Sequence, residues 1–164
     1  MPYDRLVFGN GADELMFAVA RAAKRRASGD ARGSEDATGP RPEAVIEAPA
    51  YASYRDASEA AGLAVSTIPA ALPGPADGPF IEVGPEALAE AEAALAAGPE
   101  GSVLWLGAPN NPTGLLPAGY PASVVELAGR HPDSLCICDE AFIDFCDGVD
   151  PAGAAREAAA MPNL

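Results

Sequence analysis

Four short stretches carry groups that can do chemistry. The first is Asp139-Glu140, which directly follows the apolar run Leu135-Cys136-Ile137-Cys138. A carboxylate at the end of a buried strand is costly unless a cation or an N–H donor meets it. The second is Ala108-Pro109-Asn110-Asn111-Pro112-Thr113-Gly114, where two prolines and a glycine stiffen the backbone around two adjacent carboxamides. Stiff scaffolding that presents polar side chains suggests binding, and no structural need asks for both amides there. The third, Ala48-Pro49-Ala50-Tyr51, brings an aromatic ring. The fourth, Gly9-Asn10-Gly11, turns straight into a helical pattern that begins at Ala12. The first N–H groups of a helix are unpaired, so a phosphate fits above them. Taken singly, each stretch has an ordinary explanation: a ring can simply pack, and a glycine can simply permit a turn. The turn is also not a G-x-G-x-x-G fingerprint.

The elements around these stretches alternate. Arg5 to Phe8 reads as a short strand. From Ala12 to about Arg26 the pattern is helical, with Asp13 and Glu14 at its start and Lys24, Arg25 and Arg26 at its end, an order that suits the helix dipole. Residues 27–42 have no apolar period and read as a flexible loop. Strands are expected at Ala44–Ile46, Leu63–Ile68, Val103–Leu106 and Leu135–Cys138. Helices are expected at Tyr51–Ala61 with Gly62 as its stop, at Pro85–Ala97, near Pro121–Gly129 and near Pro151–Ala160. Residues 69–83 are rich in proline and glycine and irregular. Several strands are apolar on both faces, so the fold class is α/β: a three-layer sandwich with a mostly parallel sheet. Ligands of such sheets gather at the carboxyl ends of the strands, and each of the four stretches leaves a strand there. We find no internal repeat.

Composition narrows the partners. The chain has 164 residues, 49% apolar and 21% charged, enough for one packed domain and not for two. A net charge of −14 disfavours nucleic acid and anionic membrane surfaces, because both are bound through Lys and Arg. No apolar run approaches the roughly 20 residues of a membrane span, and the N-terminus lacks a secretory layout, so a cytoplasmic location is expected. Cys136, Cys138 and Cys146 lack a zinc spacing, and the one histidine, His131, stands between Arg130 and Pro132 as an expected exposed loop residue. The cysteines are expected as small buried apolar groups in a reducing compartment, and no metal is expected. Among ten basic residues there is a single lysine, Lys24.

A phosphate cradle, a ring to stack on, an amide donor and a carboxylate at one sheet edge are together what pyridoxal 5′-phosphate requires. The carboxylate keeps the pyridine nitrogen protonated so that the ring can accept electrons. The pair Ala-Pro-Asn-Asn-Pro-Thr-Gly114 and Asp139-Glu-Ala-Phe-Ile-Asp-Phe145 resembles the fold-type I pyridoxal-phosphate enzymes, aminotransferase class I/II. Within these it resembles the histidinol-phosphate aminotransferase branch. Leu115-Leu116-Pro117, and Phe142 where aminotransferases more often have Tyr, resemble the branch's threonine-phosphate decarboxylases.

The resemblance implies roles. Asp139 pairs with the pyridinium nitrogen, and Asn111 hydrogen-bonds the phenolic oxygen and lies close to the substrate. These two are the expected catalytic residues. Gly11, Ala12 and Asp13 form the backbone phosphate loop, and Tyr51 stacks on the ring, with Tyr54 as the alternative. The substrate would be a phosphorylated amino acid, and the decarboxylase product (R)-1-amino-2-propanol O-2-phosphate, a cobalamin precursor. Histidinol-phosphate transamination with 2-oxoglutarate is the other activity implied, and a non-catalytic remnant the reading outside enzymes. The resemblance further implies that residues 1–164 form part of an aspartate aminotransferase-like large domain. The N-terminal arm, the lysine that holds the cofactor covalently and the C-terminal small domain would lie elsewhere. Lys24 cannot replace that lysine, because it stands roughly 16 Å along its helix from the phosphate end. The chain alone is therefore expected to be inactive, and the intact enzyme to be a homodimer.

Overall fold

Val103-Leu-Trp-Leu-Gly107 has no charged residue, and all five positions are buried. A parallel strand of that composition needs helices on both of its faces. In the computed structural model, which describes residues 6–27, 41–69 and 85–164, this segment is β3. It lies between β1 (Glu43–Ala48) and β4 (Leu135–Asp139). The fourth strand, β2 (Ala64–Pro69), flanks β1, giving a sheet in the order β2-β1-β3-β4 in which every pairing is parallel.

Side chains alternate across the sheet. Ala44, Ile46, Val103 and Trp105 pack on one face against Met16, Ala20 and Ala23 of α1 (Ala12–Ala27), and against Tyr54 and Ala57 of α2 (Ala52–Ala60). Val45, Leu104, Leu106 and Cys136 pack on the other. There they meet Ala91 and Leu95 of α3 (Pro85–Ala97), and Val124, Leu127 and Ala128 of α4 (Ala122–Arg130). A short α5 (Gly153–Ala158) lies beside α4. These are the three layers that the sequence leads one to expect.

The order of the strands makes a crevice. The chain moves outward from β1 to β2, returns past β1 to β3 and continues to β4, so its direction reverses between β1 and β3. Loops leaving the two strands diverge at such a point. The ladders record this: the β1–β3 register ends at Ile46↔Trp105, whereas β3–β4 runs on to Gly107↔Asp139.

Several expectations need correction. Residues 6–9 form no strand: Leu6, Val7 and Phe8 are 40%, 76% and 89% exposed. Apolar residues make a strand only where a neighbour supplies a ladder, and among the described residues none does. Gly107 and Asp139 belong to their strands rather than to the loops beyond. The last helix is shorter than expected. His131 is half-buried rather than an exposed loop residue, with Nε2 3.9 Å from Glu92 Oε1. Of the expected loop 27–42, residues 28–40 lie outside the described residues. So does all of the expected irregular stretch 69–83 except Pro69, which ends β2.

Candidate functional site

At the carboxyl edge of the sheet a cleft of about 180 Å³ is lined by Ala12, Tyr51, Pro109, Asn111, Asp139, Ala141 and Phe142. Each of the four chemically marked stretches, which run from Gly9 to Glu140, thus places one of its own residues or its immediate neighbour on a wall. Gly11 and Asp13 flank Ala12 but do not line the cleft, and both are exposed.

Asp139 is the last residue of β4, where the ladder stops and a side chain can turn into the crevice. Its carboxylate has the partners that a partly buried charge requires. The Tyr54 hydroxyl donates to Oδ2 at 2.9 Å, and the backbone N–H of Ala141 donates to Oδ1 at 3.0 Å. Tyr54 is itself locked. Its ring stacks on Trp105 with centroids 5.3 Å apart and planes 11° from parallel. The indole N–H of Trp105 donates to Ser58 Oγ at 3.1 Å, and Ser58 Oγ donates to the Tyr54 carbonyl at 2.7 Å. A rigid aromatic floor built from β3 and α2 therefore sets where Asp139 points. Burial, the Asp139 charge and the hydrogen bond to it all push the Tyr54 phenol well above its usual range, so it remains a donor.

The two tyrosines divide the work. Tyr51 caps the start of α2 and lines the cleft, while Tyr54 is buried beneath it, with the rings edge-to-face at 6.0 Å. The two asparagines divide likewise. Asn111 is exposed at the cleft, whereas Asn110 is 1% exposed and structural. Asn110 Nδ2 donates to the Pro49 carbonyl at 2.9 Å and to Thr113 Oγ1 at 3.1 Å, clamping the loop after β3 onto the loop after β1. Adjacent amides thus do have a structural reason to occur here, contrary to the sequence expectation. Gly107 is required for the clamp, since a Cβ there would come within 2.6 Å of Asn110 Cα. The loop closes on itself through Gly114 N–H to the Asn110 carbonyl at 2.7 Å, with Gly114 at φ +71°.

At the fourth wall, α1 starts with Ala12 directly after Gly11, whose φ of +85° only glycine adopts cheaply. Apart from its chain neighbours, no heavy atom of the described residues lies within 4 Å of the place a Gly11 Cβ would occupy. The first N–H groups of a helix lack intrahelical acceptors and the positive end of its dipole favours an anion, and here Ala12, the first residue of α1, lines the cleft. Lys24 is far from this end. It sits about 16 Å along the helix from Asp13, with its Nζ 2.8 Å from where a Gly62 Cβ would stand, at the turn that precedes β2.

Phe142 is 45% exposed in the cleft, and Phe145 beyond it more so. Leu115 and Pro117, by contrast, are buried, Leu115 against Ala87. Glu140 points away to accept a hydrogen bond from Tyr120. The Cys136 thiol is pushed up to about 12 by burial alone, and Cys138 is likewise raised, so neither is a nucleophile. Among the described residues no group of three or more metal-binding side chains converges, and no helix is long and apolar enough to cross a membrane.

Comparison with known proteins follows this geometry. The aminotransferase class I and II family model matches residues 1–164. A histidinol-phosphate aminotransferase from Limosilactobacillus fermentum is 33% identical over 152 residues, which cover 92% of this chain and 34% of that protein. The histidinol-phosphate aminotransferase of Clostridium acetobutylicum superposes with a TM-score of 0.61 at 21% identity, over 92% of this chain and 36% of the other. The L-threonine-O-3-phosphate decarboxylase of Porphyromonas gingivalis does so with a TM-score of 0.50 at 22% identity, over 84% and 31%. The chain thus spans about a third of the length of the proteins it matches.

Proposed function

The chain belongs to the aminotransferase class I and II family, and on that premise we propose that its cleft takes pyridoxal 5′-phosphate as part of an enzyme acting on a phosphorylated amino-acid-type substrate. One observation carries the reading: Ala12, Tyr51, Asn111 and Asp139 line a single cleft, and Asp139 is fixed there by Tyr54 and Ala141. The donor set fits the group. After its two hydrogen bonds the Asp139 carboxylate keeps lone pairs for a protonated ring nitrogen. The open space at Gly11 and the free N–H groups of α1 suit a phosphate.

When bound, the cofactor supplies a sink for the electron pair released at the substrate's α-carbon. Asp139 holds the proton on the ring nitrogen, which is what makes the sink effective. The Asn111 amide would donate to the phenolic oxygen. Tyr51 would supply an aromatic surface to the cofactor ring, and Phe142 brings a ring without a hydroxyl.

Two substrate readings remain. Phe142, in the cleft, favours decarboxylation of threonine phosphate to (R)-1-amino-2-propanol O-2-phosphate for cobalamin synthesis. The buried Leu115 and Pro117 act as packing and add little to that side. Transamination of histidinol phosphate is favoured by the 33% identical relative. Assaying the intact enzyme for CO₂ release from threonine phosphate, against glutamate formation from histidinol phosphate and 2-oxoglutarate, separates them. The intact enzyme is proposed to be a cytoplasmic homodimer. The 164 residues alone are proposed to bind cofactor without turnover, because their one lysine lies against Gly62.

The cofactor reading is tested by titrating pyridoxal phosphate onto the chain by absorbance. Replacing Asp139 by Ala should weaken binding about 10- to 100-fold, the value of losing a charged hydrogen bond. Equal affinity in Asp139→Ala would overturn it.

A further inference from the structure

Among the described residues Glu47 is the one buried carboxyl group, and the cleft chemistry does not use it. It is the penultimate residue of β1, 1% exposed, and neither of its carboxyl oxygens has a hydrogen-bond partner. Alternation puts it on the face of Val45, which packs against Leu104 and Leu106. Its neighbours in the ladder are one-sided: it pairs with Ile68 of β2, while the β1–β3 register has already ended at Ile46. Glu47 therefore stands where β1 and β3 part.

Among the described residues no cation compensates it. β2 and β3 contain no titratable side chain. On α2, Arg55 is exposed and paired with Glu59 at 3.3 Å, Asp56 is acidic, and the Tyr54 phenol is turned toward Asp139. On α3, Glu90 is exposed and Glu92 pairs with Arg130. An ionised Glu47 would therefore be a buried charge without a partner among the described residues, a state that access of water would relieve. At the end of β1 a hollow of about 170 Å³ is bordered by Glu47, Tyr51, Arg55, Asp56 and Thr67 among others. Tyr51 is a wall of both this hollow and the cleft. Two residues beyond Glu47, the Pro49 carbonyl is held by Asn110, whose own Oδ1 also lacks a donor.

We propose that Glu47 is a protonation switch on the β1–β3 crevice: its neutral carboxyl keeps the strand end closed, and loss of the proton opens the end of β1 to water, loosening the Pro49–Asn110 clamp and Tyr51. Burial supports this independently by pushing the carboxyl up to about 7, so the change falls in the neutral range. The inference concerns the free chain and stands whatever ligand the cleft takes.

Hydrogen exchange on the free 164-residue chain tests it, with rates corrected for the intrinsic pH dependence. Between pH 6 and 8.5 the opening of residues 46–51 and 108–115 should rise about tenfold in the wild type, as linkage between a folded value near 7 and an ordinary one near 4.5 requires. In Glu47→Gln it should stay flat, with β4 and α4 unchanged in both. The same pH response in the wild type and in Glu47→Gln would overturn the proposal. Should that variant fail to fold, the wild-type carboxyl can be titrated directly by carbon NMR: a midpoint near 7 shared with the exchange profile supports the switch, and a midpoint below 5 overturns it.

Discussion

Asp139 and Glu47 both sit at the carboxyl edge of one parallel sheet, on β4 and β1, yet the fold treats them oppositely. Asp139 ends its strand, turns into an open cleft and receives two donors, one from an immobilised phenol and one from the backbone. Glu47 stops short of its strand end, stays within the apolar layer and receives none. What a carboxyl group can do follows from what surrounds it: one is supplied with donors at an open cleft, and the other is pushed up by burial. A strand end that stops at a cleft can be supplied with donors, whereas one that runs into packed side chains cannot.

The comparison can be broken at its foundation. Trp105 is the floor of Tyr54 and thereby of Asp139, and Trp105→Ala should cost about 3–5 kcal/mol of stability, measured by urea unfolding. A loss under about 1 kcal/mol would mean that the aromatic floor does not support the site. The Glu47 side comes next. A carboxyl raised from 4.5 to about 7 in the folded state binds its proton more tightly there than in the unfolded chain. Its contribution is therefore fully present below about pH 4.5 and lost as pH rises through about 7, roughly 3 kcal/mol in all. Glu47→Leu should remove that dependence, so the variant melts above the wild type at pH 8.5 and the gap narrows toward pH 5. A pH-independent gap would contradict it. A smaller effect is expected from Tyr54→Phe, which keeps the stack on Trp105 but removes the donor to Asp139. It should cost about 1–2 kcal/mol and weaken pyridoxal phosphate several-fold, while the same substitution at Tyr51 leaves stability within about 0.5 kcal/mol. The smallest is Lys24→Ala: borohydride reduction with pyridoxal phosphate, followed by mass analysis, should trap nothing on residue 24 of the wild type, so the variant behaves identically.

Much of the architecture was legible residue by residue. The apolar run at β3, the charge order along α1 and the stop at Gly62 each state a local preference that the fold obeys. The segment Leu6-Val7-Phe8 was misread because composition marks strand-forming tendency, while a strand exists only beside a partner. At the site, Asp139, Asn111, Tyr51 and Ala12 were recognisable because turn chemistry and strand ends mark them locally. Tyr54 and Asn110 were visible only as alternatives or neighbours, since their roles depend on Trp105 and Pro49, each about fifty or sixty residues away in sequence. Glu47 gave no signal, because an acidic residue in a strand looks the same whether it meets solvent or a packed layer.

Sequence alone therefore determined the alternation of strands and helices, the stretches able to bind an anion, a ring and a cation, and the absence of a second lysine in these residues. Those follow from short-range sterics, hydrogen-bonding capacity and charge. Only the tertiary structure decided that four distant stretches share one cleft, that Tyr54 rather than Tyr51 holds Asp139, and that Glu47 has no partner. Each of those depends on strand order, and strand order is settled by which apolar faces bury one another.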